Sequence, residues 1–128
     1  MNVQSDVWRY TADVRAGADL SGFKVEALDG SIGKIDDATN DVGASYIVVD
    51  TGPWIFGKKV MLPAGVVRDV DLDTETVFVN RTKDQIKNAP EYDEDKEKSD
   101  NKYRERYRSD LGSYYGPGGL GYRDDELI

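Results

Sequence analysis

Alternation of apolar and polar positions governs the chain from Leu20 onward. In "GFKVEALDG", Phe23, Val25 and Ala27 fall on one parity, which predicts a strand with one buried face. Asp29-Gly30 then predicts a tight hairpin turn, because glycine supplies the positive φ such turns need. Ile32 and Ile35 follow on opposite parities around Gly33. An odd spacing across a glycine predicts a bulge that lets both isoleucines face inward while the strand bends. Asp36 to Gly43 reads as a polar loop. "ASYIVVDTG" is a run of strand formers, so both faces of that strand are expected to be covered. "KKVMLP" predicts another strand, with Pro63 confined to its end or to a sheet edge because it lacks an amide donor. "GVVRDVDLD" and "TETVFVN" predict two more strands around a turn at Asp71 to Thr74.

The period changes at "TKDQIKNAP". Thr82 and Gln85 have capping-box spacing, Ile86 and Ala89 can face the body, and Pro90 ends the helix. Many short strands with turns every few residues predict an all-β fold. A closed barrel is favoured at this length because closure removes exposed strand edges. The expectation is a small β-barrel of five to six short strands, with one short C-terminal helix and a disordered tail. Residues 1–18 form an N-terminal extension in which strand and helical turn are both compatible with the pattern, and Trp8 is expected to cover the domain. The domain spans 19–90. Residues 91–128 hold six of the eight tyrosines but no Val, Phe or Trp. That composition predicts a flexible acidic Tyr/Gly-rich tail with a transient helix near Tyr103 and Tyr107, dispensable for stability.

Composition narrows the chemistry. The absence of Cys excludes disulfides, thiol nucleophiles and thiolate metal sites. The absence of His removes the commonest general base and transition-metal ligand. No cofactor, metal site or catalytic residue is expected. Net charge is −8, shared evenly: residues 1–90 carry 14 acidic against 10 basic side chains, and residues 91–128 carry 11 against 7. Neither part is a basic nucleic-acid module, and direct nucleic-acid binding is not expected. No apolar run is long enough for a signal peptide or a membrane span, so a cytoplasmic location without membrane insertion is expected.

The stretch "TGPWIFGKKVMLPA" carries the sharpest candidate site. Trp54, Ile55 and Phe56 sit between Gly52-Pro53 and Gly57, with Lys58 and Lys59 following. Folded inward, the aromatics would plug the barrel; left outward, they would mark a partner surface, where Trp concentrates binding energy. Trp54, Phe56, Lys58 and Lys59 are the candidate partner-binding residues, with Phe56 the more structural of the aromatic pair. Asp36, Asp37 and Asp41 do not follow the EF-hand spacing and read as a solvated turn. Asp69, Asp71 and Asp73 read as a strand edge kept soluble by charge. "YRERYR" with "GSYYGPGGLGY" has the makeup of segments that stack on single-stranded nucleic acid, but the acidity around it favours a flexible, self-associating tail.

Three stretches in order, "LSGFKVEALDGSIGKIDDA", "YIVVDTGPWIFGKKVMLPAGVV" and "VFVNRTKDQIKNAP", resemble the PRC-barrel domain from about Leu20 to Pro90. The matching motifs are Leu20-x-Gly22-x-x-Val25, Asp29-Gly30-x-Ile32-Gly33, Val49-Asp50 and Leu62-Pro63. The Trp54-Ile55-Phe56-Gly57 insert looks like stand-alone bacterial members. The family includes the cytoplasmic part of the photosynthetic reaction-centre H subunit and the C-terminal half of a ribosome-maturation factor. The resemblance implies a non-catalytic adaptor that binds a protein partner or a second copy of itself, the latter giving a homodimer. The alternatives it implies are a ribosome- or RNA-processing-associated factor and a peripheral subunit of a membrane electron-transport complex.

Overall fold

A computed structural model of the protein describes residues 7–8, 19–39, 45–55 and 58–122. The expectations for most of the N-terminal extension, for Asp41, and for Phe56 and Gly57 lie outside those residues.

Strand β1 (Lys24–Ala27) hairpins into β2 (Gly30–Thr39), with Ala27 opposite Gly30. The turn residues are therefore Leu28 and Asp29, one position earlier than the sequence suggests. Gly30 opens β2 at φ +143°, a conformation that side chains rarely adopt. Val25 pairs with Gly33 and Glu26 with Ser31, which leaves Ile32 as the extra residue of a bulge. Ile32 and Ile35 are consequently both buried, as the spacing predicts. Gly33 allows the approach: a Cβ there would lie 2.0 Å from the Asp50 carbonyl oxygen. A second bulge follows at Asp36.

β3 (Tyr46–Asp50) and β4 (Lys59–Pro63) extend the sheet, and β5 (Val67–Asp71) and β6 (Thr76–Val79) complete it. The order is β4-β3-β2-β1-β6-β5, with β1 and β6 parallel and the other pairs antiparallel. The two end strands of this six-stranded mixed sheet, β4 and β5, are joined by only Ala64–Val66, so the sheet curls back on itself in the manner of the expected barrel, without a β4–β5 ladder closing it among the described residues. Among the described residues the hydrogen-bonded order has two ends, β4 and β5. One face of β3 and β4 buries Ile47, Val49 and Leu62 into the main core, together with Val25, Val77 and Val79.

The other face explains the largest departure from expectation. Val48 and Met61 lie opposite each other there and are buried too. Their cover comes from the segment expected to be a disordered tail. Besides the predicted helix α1 (Lys83–Lys87), whose capping box between Thr82 and Gln85 is present, the chain forms α2 (Glu94–Ser99) and α3 (Asn101–Tyr115). The fold is therefore not all-β, and its core crosses the expected boundary at Pro90. Asp93 and Asp100 cap the two helices by accepting from the amides of Lys96 and of Lys102 and Tyr103. Tyr107, Leu111 and Tyr115, four apart, point into the same core as the strands. Tyr103 and Tyr107 stack at 5.7 Å, and Arg108 lies 4.9 Å from the Tyr46 ring centroid.

Two interactions fix this C-terminal unit. Glu97, buried in α2, accepts from Arg108 Nε at 3.0 Å and from Arg108 Nη2. Arg81, 4% exposed, donates to the carbonyls of Asn80, Tyr115 and Gly121. It thereby holds the Gly116–Tyr122 turn against the sheet. Val7 and Trp8 close the same side: the Trp8 carbonyl accepts from Ser45 N, and the Trp8 indole nitrogen lies 3.0 Å from where a Cβ on Gly112 would be. Trp8 is the cover predicted from the sequence.

The hydroxyls of Tyr107 and Tyr115 are buried without a hydrogen-bond partner among the described residues. Burial pushes both well above the ordinary tyrosine value of 10.0. The native state holds these protons after the unfolded chain has released them. Their contribution to stability is therefore flat below about pH 10 and falls above it, by about 1.4 kcal/mol per pH unit for each group. Denaturant melts and ultraviolet tyrosinate absorbance across pH 9 to about 12 check this. Ionisation of all tyrosines near pH 10 with structure intact would contradict it.

Candidate interaction surface

The Trp54 corner is built by its threonine. Thr51, 2% exposed, places its hydroxyl 2.9 Å from the Ile55 carbonyl and 2.6 Å from the Lys58 carbonyl. One proton is thus shared between the two sides of the corner. Trp54 N donates to Thr51 O, Lys58 N to Ile55 O, and Gly52 N to Asp50 Oδ1. Gly52 sits at φ +55°, the left-handed conformation the turn requires.

Trp54 is half-buried. It packs against the core, and the Lys83 ammonium lies 5.2 Å from its ring centroid. Lys83 is itself placed by the hairpin, since its amide donates to Asp29 Oδ1 at 2.8 Å. The aromatic is therefore partly plug and partly surface, held by groups from three separate segments. Ile55 beside it is half-buried as well.

Lys58 and Lys59 turn toward the chain's own acids. Lys58 Nζ lies 2.6 Å from Glu91, a pair open to solvent. Lys59 Nζ bridges Asp36 at 2.9 Å and Glu94 at 3.0 Å. Hydrogen bonds to Asp36 and then Glu94 hold the Lys59 ammonium well above the usual lysine range. Lys59 thus ties β2, β4 and α2 together. Asp71, by contrast, sits in its own turn, where the amides of Thr74 and Asp73 lower its pKa. Among the described residues no group of three acidic side chains converges as a cation would require.

Beyond the corner lies a slot of about 190 Å³ between β4 and residues 86–92. Ile55, Val60, Met61, Ile86, Pro90 and Tyr115 form much of its wall, and Lys58, Lys59, Lys87 and Glu91 contribute charged groups to it. Tyr92 flanks it, and burial pushes the Tyr92 hydroxyl up to about 12.

The family model of the PRC-barrel domain matches residues 12–86. The chain belongs to the PRC-barrel domain family. Comparison with curated proteins finds no match. PRC-barrel domains mediate interactions, so the surfaces of this one are the relevant chemistry. No helix among the described residues is long and apolar enough to cross a membrane.

Of the four residues singled out in the PRC-barrel sequence, Trp54 takes Lys83 as its cation, Lys58 and Lys59 turn instead to Glu91, Asp36 and Glu94, and Phe56 lies outside the described residues. Both lysines are committed to intramolecular pairs. The slot was not read from the sequence, because Tyr92 and Tyr115 belong to the segment taken as tail.

Proposed function

We propose that this protein is a non-catalytic interaction module of the cytoplasm that docks a protein partner at the Trp54 corner. The observation that carries the reading is the half-buried Trp54, fixed beneath Lys83 on a corner locked by the Thr51 hydroxyl. An aromatic that is partly exposed yet already ordered loses little side-chain entropy on binding, which is the character of an interface hot spot.

The test uses the full chain as bait in a native lysate, compared with Trp54→Ala. The variant is expected to keep a cooperative melt, because the ring is only half-buried, and to lose the proteins that the parent captures. Capture of the same proteins at full yield would remove the corner from the interface. Unfolding of the variant with no separable binding loss would make the corner simply core.

A further inference from the structure

The two ends of the sheet are not alike. The β5 edge carries Arg68, Asp69 and Asp71, charges that keep one strand from pairing with another chain. The end strand β4 reads KVMLP and runs along the slot.

The ladder fixes which β4 groups face that slot. Ala64 N donates to Ser45 O, and Thr51 N donates to Lys58 O, so these pairs lie in the bonded phase of the antiparallel ladder. By register, Leu62 with Ile47 and Val60 with Val49 share that phase. Lys59 and Met61 fall in the alternate phase, where the N–H and C=O point away from β3. Among the described residues no backbone bond from outside the sheet reaches either one. Met61 is 1% exposed, so its outward donor and acceptor lie inside the protein beside the slot. Tyr115, whose hydroxyl also lacks a partner among the described residues, forms part of the same wall.

The geometry points to a strand-addition site: the outer edge of β4 at Lys59 and Met61 accepts an extended apolar segment of a partner polypeptide. Donor and acceptor pairs repeating every second residue are matched together by another extended backbone. The walls Ile55, Ile86 and Pro90 favour apolar side chains on that segment, and Lys58, Lys87 and Glu91 leave room for polar residues flanking them. The edge ends at Pro63, which has no N–H to offer, so the added strand is short. This inference rests on the interaction reading above and names the mode of docking.

The probe is the peptide acetyl-Ser-Val-Ile-Val-Ser-amide, titrated into the isotope-labelled full chain and followed by amide NMR. Shifts are expected at Lys59, Met61 and Ala89 to Tyr92. N-methylation of alternate peptide amides in one phase is expected to weaken binding about tenfold or more, and in the other phase to leave it unchanged. Ala89→Trp, which fills the slot, is expected to weaken binding comparably, and the two methylated peptides test the idea without any variant. Equal binding by both methylated peptides would overturn the proposal in favour of an apolar-molecule site. So would shifts confined to β5, no shifts at millimolar peptide, or the same shifts from raised protein concentration alone. If lysate partners are lost on Trp54→Ala but kept at full yield on Ala89→Trp, the docking reading stands and the strand-addition site falls.

Discussion

Removal of residues 91–128 is expected to abolish the cooperative melt of this domain. The sequence pattern suggests the opposite, but the structure places Tyr107, Leu111 and Tyr115 in one core with the strands. Truncation would uncover the Val48–Met61 face of β3 and β4. It would also strip Arg81, a buried guanidinium, of its Tyr115 and Gly121 carbonyls. The single change Leu111→Ala samples the same contact at about 2–5 kcal/mol, a large share of the ~5–15 kcal/mol that holds an ordinary domain together. Circular dichroism and denaturant melts of the truncated chain and of Leu111→Ala provide the check. A shortened chain that melts cooperatively near the full-length midpoint would show that the helices are accessory.

Gly33→Ala is expected to be nearly as damaging, on the order of 3–5 kcal/mol, because strain and collision act together. The position has φ +142°, and the added methyl would lie 2.0 Å from the Asp50 oxygen and 2.9 Å from the Asp50 carbonyl carbon. Those are backbone atoms of β3 and cannot swing aside. Gly30 is the matched control. Its φ is +143°, but the nearest atoms to an added methyl belong to the Lys83 side chain, at 3.6 Å and beyond. Gly30→Ala therefore incurs backbone strain alone, about 1–3 kcal/mol. Equal losses at the two glycines in urea melts would refute the close-approach account. Because Asp50 leads directly into the Thr51 corner, Gly33→Ala is also expected to alter Trp54 fluorescence before unfolding.

The strands were legible because each carries its own evidence. Val25 and Ala27, Val77 and Val79, and the Ile32–Gly33–Ile35 spacing state their burial locally, and the Thr82–Gln85 cap lies within one turn. The C-terminal helices were not legible, because their apolar stripe is sparse and made mostly of tyrosine. Tyr103 and Tyr107 suggested a helix turn, but Leu111 and Tyr115 continue the spacing into a glycine-rich stretch around Gly112 and Gly116, and charge dominates the windows before them. The Trp54 site was half legible. Its aromatic corner is written in sequence, whereas the acids that engage Lys58 and Lys59 lie more than twenty positions away in the chain. Nothing local announces that Asp36, Glu91 and Glu94 arrive there.

The packing of Trp8 against Gly112 has a consequence for the order of events during synthesis. A ribosome releases the strands first, with Met61 and Val48 uncovered and the indole without its helix. The domain cannot close until α3 and the Gly121 carbonyl have emerged. Long-range closure of this kind slows folding relative to a bundle of local contacts, and it leaves a nascent chain with an apolar sheet face open until late in translation. That interval is when chaperone engagement is expected to be greatest, and a stalled chain ending before Tyr107 is the species on which to measure it.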